Sequence, residues 1–346
     1  MPERNPKPSA PSLSELGLRA LFLVWGVPHG SHRSQLMAYL LGMEVVHVAS
    51  IARKGWGYAL LKYPLQMVKT VGVLAKFRPR IVFVQNPPIF AVLVVYLWGW
   101  VTGTRFIIDS HTDALLASWW RWTLPLHRFL SRRAIVTLVT NEYLRQIVAG
   151  WGAPAFILAD PPATFPHRRP PPPDGADFRV VVVSTASYDE PIGEVLQAAA
   201  RLPSVRFYIT GNYRAPEHRS LVEAAPSNVR FTGYLADADY YGLLESAHAV
   251  MCLTTEDHTI QSGASEALWL GRPIITSDWP VLRAYFCRGT VHVNNNAESI
   301  CHAIGAVQRN HATFEADIRA LQADRRREWH RRASQLVSLI RQAVAG

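Results

Sequence analysis

Short apolar runs alternate with helix-sized segments along nearly the whole chain. In the first half the runs occupy residues 20–25, 44–49, 80–85, 105–109 and 134–139. In the second half they occupy residues 179–185, 205–210, 229–231, 250–253 and 273–276. Continuous apolar runs of this length are typical of strands that are buried on both faces of a parallel sheet. Their alternation with helices predicts two doubly wound α/β sheets.

The segment 89–101, IFAVLVVYLWGWV, is the most apolar helix that the pattern predicts. It is shorter than the roughly 20 residues that a membrane-spanning helix needs. It also lies between two predicted strands. We therefore predict a buried core helix, which can still touch a surface.

Length and proline content predict the domain limits. A chain of 346 residues corresponds to about two domains of roughly 100–200 residues each. The prolines between 161 and 173 exclude a helix or a central strand, so we predict a linker over 159–177 between domains at 19–158 and 178–327. Residues 1–18 lack an apolar segment and are predicted to be a disordered tail and not a signal peptide. Helices are expected over 297–307, 312–323 and 332–345, with 328–346 as a terminal helix.

Charge and cysteine content limit the possible binding partners, cofactors and cellular compartment. The formal net charge of +10 implies an acidic partner, which is nucleic acid, an anionic lipid headgroup or a phosphorylated substrate. Cys252, Cys287 and Cys301 show neither metal-ligand spacing nor the even count of a disulfide framework. They favour a reducing cytoplasm, and no metal site is predicted. The first strand is not followed by GxGxxG, so no dinucleotide cofactor is indicated.

A cluster of indoles and guanidinium groups follows in the first domain. Trp119, Trp120, Arg121 and Trp122 are adjacent, and three further arginines follow them: Arg128, Arg132 and Arg133. This composition suits a membrane headgroup interface. Stacking on nucleic acid uses the same residues, but we predict no nucleic-acid partner; packing beneath a sheet is a third interpretation. With the net charge and the short apolar helix, we predict contact with an anionic membrane surface at its inner face, without a spanning helix.

The most informative stretch for chemistry lies between residues 252 and 286. Gln261, Ser262 and Gly263 form a turn before a helix predicted over 264–270. The free N–H groups and the dipole of such a helix end attract phosphate. Glu266, one turn inside, can accept two hydroxyls of a ribose. Alternatively, Ser262 is only an N-cap and Glu266 an ordinary acid.

The stretch as a whole resembles the nucleotide-sugar half of the GT-B glycosyltransferases of family 4, also called group 1. The family's motif is a pair of acids eight residues apart, and Glu266 in EALWLGRPIITSD matches the second acid. At the first position stands His258, preceded by Glu256 and Asp257. In the family the first acid lies near the donor hexose. The resemblance implies that His258 or Glu256 takes this role, or that the role is missing.

A second part of the resemblance lies after the strand at 105–109. His111 in IIDSHTD matches the family's histidine beside the donor sugar, and QNPP at 85–88 is also similar to the chitobiosyldiphosphodolichol mannosyltransferases. Asp109 and His111 are therefore catalytic candidates. With Asp113, they leave open whether the anomeric configuration is retained or inverted.

The remaining donor and acceptor candidates come from the same resemblance. Tyr234 and Leu235 match a loop against the nucleotide base. Family members place Arg and Lys in the loop that here begins at Ser184, so the diphosphate is expected to rely on the helix end with Arg214 or Arg283. The acceptor side is assigned to Gly30, His32 and Arg33, for which a basic solvated loop is the alternative.

The resemblance implies a GT-B fold, in which two Rossmann-like domains face a cleft and the terminal helix returns to the first domain. It implies transfer of a hexose from a nucleoside-diphosphate sugar to a lipid-linked or polysaccharide-precursor acceptor, without a metal ion or other cofactor. His111 and His258 are expected to face the cleft from opposite domains. The alternatives are a nucleotide-sugar epimerase of the same fold, and a non-catalytic subunit that binds a donor or a partner.

Overall fold

A computed structural model of the chain describes residues 12–15, 17–26, 32–49, 56–165, 167–171, 175 and 178–345. The chain divides into two compact units. One contains Met1–Pro161 and Arg326–Gly346, and the other contains Pro162–Arg325. The first division falls within the proline-rich segment at 159–177, and the second falls within the last helix of the chain.

The first unit contains a six-stranded parallel sheet. Its strands are β1 (Ala20–Val24), β2 (Glu44–His47), β3 (Ile81–Asn86), β4 (Arg105–Ser110), β5 (Thr137–Val139) and β6 (Ala155–Ile157). Their order in the sheet is β2-β1-β3-β4-β5-β6. The winding therefore reverses between β1 and β3, and in open α/β sheets ligands bind beyond the carboxyl ends of the strands at such a reversal.

Helices cover both faces of this sheet. They are α1 (His32–Leu41), α2 (Trp56–Phe77), α3 (Ile89–Thr102), α4 (Thr112–Leu116), α5 (Leu124–Ser131) and α6 (Glu142–Gly150), with a 3-10 helix at Ser118–Thr123. On one face, Leu74 of α2, Val92 of α3 and Leu130 of α5 pack in one core. On the other face, Met37 of α1 packs with Trp329 of the C-terminal helix. No helix within the described ranges is long and apolar enough to cross a membrane.

The C-terminal helix and the end of the predicted tail require corrections. The chain forms one helix over His311–Ala345 instead of the two that we predicted at 312–323 and 332–345. The sequence between them, DRRREWHR, has neither glycine nor proline, and most of its residues favour a helix. The disordered tail predicted over 1–18 is wrong at its end. Leu13 is fully buried in the core, and its N–H donates to the carbonyl of Leu41.

The second unit contains another six-stranded parallel sheet. Its strands are β7 (Phe178–Val182), β8 (Val205–Thr210), β9 (Val229–Gly233), β10 (Ala249–Cys252), β11 (Ile274–Ser277) and β12 (Thr290–Val293). They are arranged in the order β12-β11-β10-β7-β8-β9. Counted from its own first strand, this is the order of a dinucleotide-binding Rossmann sheet, and the winding reverses between β7 and β10.

Six helices connect these strands and lead to the C-terminal helix. They are α7 (Ile192–Arg201), α8 (Arg219–Glu223), α9 (Asp237–Glu245), α10 (Ser262–Leu270), α11 (Pro280–Tyr285) and α12 (Ala297–Arg309). Val195 of α7 and Ile304 of α12 pack on one face of the sheet. Part of the proline-rich segment lies along α9, where Phe165 stacks on Tyr241 with ring centroids 4.1 Å apart.

A buried ion pair holds three segments of the first unit together. Arg33 on α1 donates from Nη2 to Asp109 Oδ1 at 3.0 Å and from Nη1 to Asp160 Oδ1 at 2.7 Å. The side chain of Asp109 is 1% exposed and that of Arg33 is 11% exposed. Burial, the largest single influence, would raise the pKa of Asp109, but the charges and hydrogen bonds of Arg33 and His111 together outweigh it and hold that pKa well below its usual range. Asp109 is therefore ionised throughout the neutral range.

Replacing Asp109 by Asn should destabilise the first unit by about 3 kcal/mol at pH 7. This is the low end of the roughly 3–5 kcal/mol for breaking a buried pair, because Asp160 still accepts from Arg33. A carboxylate with a depressed folded-state pKa stabilises fully above its unfolded pKa of about 3.9 and loses that contribution as pH falls through the folded value. The difference between wild type and variant should therefore shrink near pH 3.

Denaturant unfolding at both pH values measures this difference. The exposed Asp113→Asn is the matched control and should change stability little at either pH. If the free energies of unfolding of wild type and Asp109→Asn differ as much near pH 3 as at pH 7, the ion pair does not contribute as described.

Candidate functional site

The strand ends at the reversal point of the second sheet are joined through Thr254. Its N–H donates to Ser277 Oγ at 2.8 Å, and its hydroxyl donates to Asp189 Oδ2 at 2.6 Å. Its carbonyl accepts from Trp279 Nε1 at 3.0 Å and from Asn295 Nδ2 at 2.9 Å. One residue thus connects the loops that follow β7, β10, β11 and β12, so the edge where a ligand is expected is rigid.

Helix α10 begins at this edge and lies unusually close to the sheet. A Cβ on Gly263 would lie 2.5 Å from Val183 Cγ1, so only glycine permits this approach. Gln261 precedes the helix, and its side chain donates to the carbonyl of Leu253 at 2.9 Å instead of capping the helix. Ser262 is the first helical residue, so the alternative that it is the N-cap is wrong. The amide end of α10 therefore lies at the reversal point.

Glu266 is held by a tyrosine that the sequence interpretation did not identify. Tyr240 on α9 donates its hydroxyl to Glu266 Oε2 at 2.6 Å. Burial raises the pKa of Tyr240 well above its usual value, and the charge of Glu266 raises it further. The tyrosine therefore remains a protonated donor at neutral pH, and it orients the carboxylate beside the helix end.

The loop after β7 contains an acid in the part of the sheet where the family resemblance implies cations. The carboxylate of Glu190 accepts from the N–H of Thr185 at 2.9 Å and from the N–H of Ser187 at 3.1 Å. It also accepts from the hydroxyl of Ser184, which in turn contacts the hydroxyl of Tyr213. Burial is the main cause that raises the pKa of Tyr213 to about 12; the hydrogen bond with Ser184 lowers this pKa in part, and the charge of Glu190 raises it by less than either. Ser184, predicted to bind the donor, is thus occupied within the protein.

The other predicted donor residues differ in how accessible they are. Arg214 is exposed, and Tyr234 exposes 85% of its surface after β9. Leu235 is half-buried. Arg283 forms an ion pair with Asp278, so part of its charge is neutralised within the protein. Of the two arginines considered for the diphosphate, Arg214 is the more available.

His258 has a backbone conformation that is rare for a residue with a side chain. Its φ is +66°, in the left-handed region. Its N–H donates to Asp257 Oδ1 at 2.5 Å, and its Nε2 lies 3.4 Å from Asp257 Oδ2. A non-glycine residue held in this region is often found at a functional site. Asp257 is thus an acid in direct contact with the histidine.

In the first unit, His111 follows β4 beside the ion pair. Its Nε2 lies 3.4 Å from Asp109 Oδ2, and its side chain is 35% exposed. Because Asp109 is buried and paired with Arg33, its carboxylate is a poor proton acceptor. This geometry favours a role for Asp109 in positioning His111 over a role as the base itself. Asp113 is exposed on α4.

A buried polar cluster supports the same strand ends. Asn86 Nδ2 lies 3.1 Å from His127 Nε2, and Ser110 Oγ lies 3.3 Å from the same nitrogen. Burial lowers the pKa of His127 to about 4, so its imidazole is neutral at pH 7. The cluster is structural, and it connects the ends of β3 and β4 to α5.

The acceptor-side candidates are only partly described. Gly30 lies outside the described residues, and His32 is placed only as the first residue of α1. Arg33 is the buried partner of Asp109 and Asp160, so the alternative of a basic solvated loop is wrong for this residue. Its role on the acceptor side stays a prediction.

Two family models match the chain. Residues 9–157 match the model of a glycosyl transferase 4-like domain, and residues 193–338 match a glycosyl transferase-like model. The first match covers all six strands of its sheet, and the second covers β8 to β12 but begins after β7. Among curated proteins, none matches the sequence significantly.

Solved structures show the same fold at low sequence identity. Anabaena HepE in complex with UDP and glucose has a TM-score of 0.69 and 14% identity, over 94% of this chain and 100% of that one. Sucrose-phosphate synthase from Thermosynechococcus elongatus has a TM-score of 0.71 and 14% identity, over 94% and 99%. A putative UDP-N-acetylglucosamine 2-epimerase from Listeria monocytogenes has a TM-score of 0.63 and 12% identity, over 88% and 91%. With two Rossmann-like units and a family match in each, the chain belongs to the GT-B glycosyltransferases of the family 4, or group 1, type.

Proposed function

We propose that this glycosyltransferase moves a hexose from a nucleoside-diphosphate sugar to a lipid-linked or polysaccharide-precursor acceptor, without a metal ion. One observation carries the donor half of the proposal. Glu266 lies one turn inside α10, is oriented by Tyr240 and stands at the reversal point of a sheet with Rossmann order. A carboxylate at this place accepts ribose hydroxyls, and the helix end accepts phosphate.

The structures of HepE support a uridine nucleotide as the first donor to test. That protein was crystallised with UDP and with UDP-glucose. The present chain shares its fold, and Tyr234 is exposed after β9 in the loop that the resemblance assigns to the base. A flat, exposed aromatic ring of this kind offers a stacking surface for a base.

Charge on the leaving diphosphate is expected to be stabilised by the amide end of α10 and by Arg214. The loop after β7 contributes little, because its N–H groups are already bound to Glu190. Preorganised amide donors stabilise developing charge without reorganisation during the reaction. His111 and His258 are the side chains proposed to act on the hexose and the acceptor.

The acceptor half of the proposal rests on the first unit. The QNPP segment with the following apolar helix is similar to transferases that act on dolichol-linked sugars, and this unit exposes apolar and basic side chains on α2, α3 and α5. Cys287 is an exposed free thiol, which suits a reducing compartment. We therefore propose the cytoplasmic face of a membrane as the place of the reaction.

An epimerase and a non-catalytic subunit are the alternatives. The epimerase among the similar structures favours the first, and the histidine at the first acid position favours the second. Incubation with a nucleotide-sugar panel separates the three. A transferase releases nucleoside diphosphate in proportion to glycosylated acceptor. An epimerase converts the sugar without an acceptor, and a subunit binds the donor without turnover.

Glu266→Gln should weaken binding of a nucleoside diphosphate about ten- to a hundredfold, because one charge-assisted contact to a hydroxyl contributes about 1.5–3 kcal/mol. The amide still accepts from Tyr240, so the fold should persist. Calorimetry with UDP and 2′-deoxy-UDP makes the test specific, since wild type should prefer the ribose and the variant should not. Glu298→Gln, an exposed acid in the first turn of α12, is the control. Equal affinities in all three proteins for every nucleotide tested would contradict the proposal.

His111→Ala and His258→Ala should each lower kcat at least tenfold while leaving the affinity for nucleoside diphosphate nearly unchanged, because both are assigned to the reacting centre and not to the nucleotide. Steady-state kinetics and calorimetry separate the two effects. His302→Ala, at an exposed position on α12, is the control. Turnover at the wild-type rate in both variants would remove these histidines from the mechanism.

Removal of divalent metal should leave transfer intact. Within the described part of the chain, no group of three His, Cys, Asp or Glu side chains is placed to hold a metal ion. Because the amide end of α10 and Arg214 are proposed to stabilise the leaving diphosphate, the rate measured after dialysis against EDTA should match the untreated rate. A loss that Mg²⁺ or Mn²⁺ restores would show that the diphosphate is neutralised by a metal instead.

A further inference from the structure

The outer side of α2 presents an apolar stripe to solvent. Leu61, Leu65, Val68 and Val71 follow the spacing of one helix face, and Val68 exposes 72% of its surface. The opposite side of the same helix is inside the core, where Gln66 and Thr70 are buried. The helix is therefore apolar on the side where a helix that covers a sheet is normally polar.

Helix α3 is exposed in the same way. Its inward side packs on the sheet through Val92 and Val95, while Leu97, Trp100 and Val101 are exposed, with Trp100 at 82%. No charged residue lies between 89 and 102. Scattered exposed apolar residues are normal on a protein surface, but two neighbouring helices with apolar outer sides form a patch that marks an interaction site.

Aromatic contacts join α2, α3 and the 3-10 helix into one layer. Tyr63 of α2 lies 5.3 Å from Phe90 of α3, and Phe90 lies 5.8 Å from Trp122, as ring centroids. Trp119 and Trp122 each expose more than half of their surface. We call the exposed sides of α2, α3, the 3-10 helix and α5 the outer layer.

The helices that form the outer layer carry charges of one sign. Residues 45–108 contain eight Lys and Arg and no Asp or Glu, and residues 114–141 contain four Arg and no acid. The elements that form the layer therefore contribute no carboxylate to it. Lys69 and Lys76 on α2 and Arg128 on α5 are exposed. An apolar face with tryptophans and a rim of cations matches the surface of an anionic bilayer.

We propose that the outer layer of the first unit is a docking surface for an anionic lipid bilayer. A second copy of the chain is disfavoured as the occupant, since two surfaces with only positive charge repel each other. Docking deepens the proposed function, because it brings the unit assigned to the acceptor to the surface where a lipid-linked acceptor lies. Lipid binding itself requires neither donor nor acceptor and is measured without them.

Liposome flotation of the full chain tests the proposal. The vesicles contain phosphatidylcholine alone or phosphatidylcholine with phosphatidylglycerol, at about 0.1 M and about 1 M salt, where the Debye length falls from about 10 to about 3 Å. Wild type should float with the anionic vesicles at low salt and bind them much less at high salt. It should bind the neutral vesicles weakly.

Three triple variants locate the surface. Lys69→Gln with Lys76→Gln and Arg128→Gln should weaken binding to anionic vesicles about a hundredfold, at about fivefold for each cation. Leu61→Gln with Val68→Gln and Trp100→Gln should weaken binding at least tenfold through lost apolar insertion. Arg201→Gln with Arg219→Gln and Arg309→Gln removes the same charge from exposed positions on the second unit and should float like wild type.

Two further measurements make each outcome decisive. Calorimetry with UDP should give the same affinity for all variants, which shows that they are folded. Light scattering reports the oligomeric state. Flotation of both outer-layer variants like wild type, or no flotation of wild type, overturns the docking surface. A wild-type dimer that becomes monomeric only in the triple variant of Leu61, Val68 and Trp100 would also overturn it, since a second copy of the chain would then be the occupant. If wild type transfers sugar without floating, only the docking proposal is disproved. If wild type floats but binds no nucleotide, only the proposed function is disproved.

Discussion

The close approach of α10 to the second sheet is the constraint on which the site depends. Gly263 permits it, because any side chain there would meet Val183 and Cys252. The approach places the amide end of the helix at the reversal between β7 and β10, and it directs Glu266 toward Tyr240. Thr254 then holds the surrounding loops in place through four hydrogen bonds. A helix dipole binds an anion well only if its end is rigid and its N–H groups are kept from other partners, and this packing provides the rigidity.

In both units, the local charge depends more on which acidic side chains are buried than on the overall basic composition. The chain is strongly basic, yet the loop after β7 is organised by the carboxylate of Glu190, and β4 ends at the buried carboxylate of Asp109. Each acid is satisfied by donors that the fold brings to it: backbone N–H groups and hydroxyls for Glu190, and Arg33 for Asp109. Such acids stabilise the structure, whereas the sequence alone would suggest a catalytic role for them. Asp109 shows this most clearly, because the same partner that keeps it ionised makes it a weak base.

Much of the fold could be predicted from the sequence, because strands buried on both faces have long apolar runs. The strands at 20–25, 80–85 and 205–210 lie within one or two residues of the observed β1, β3 and β8. β6 and β12 were missed because they are short and half-buried, so their apolar pattern is weak. At the site, the position of Glu266 after a small-residue turn was predictable. Its partner Tyr240 was not, nor was the pairing of Arg33 with Asp109, which are 76 residues apart. Such contacts follow from packing and leave no local signal.

For the apolar helix at 89–102, the structure adds a feature that the sequence did not predict, which is its exposed apolar side. Its composition indicated burial, and its length excluded a span. The inner side of the helix is buried, as its composition indicated. A helix that covers the sheet of an α/β unit also has a solvent-facing side, which is normally polar. Here Leu97, Trp100 and Val101 occupy it, beside the apolar stripe of α2. Exposed apolar surface of this kind costs free energy in water at about 25 cal/mol per Å². Because α2, α3 and α5 keep this surface exposed and carry only Lys and Arg as charged residues, we propose an anionic bilayer as its second environment.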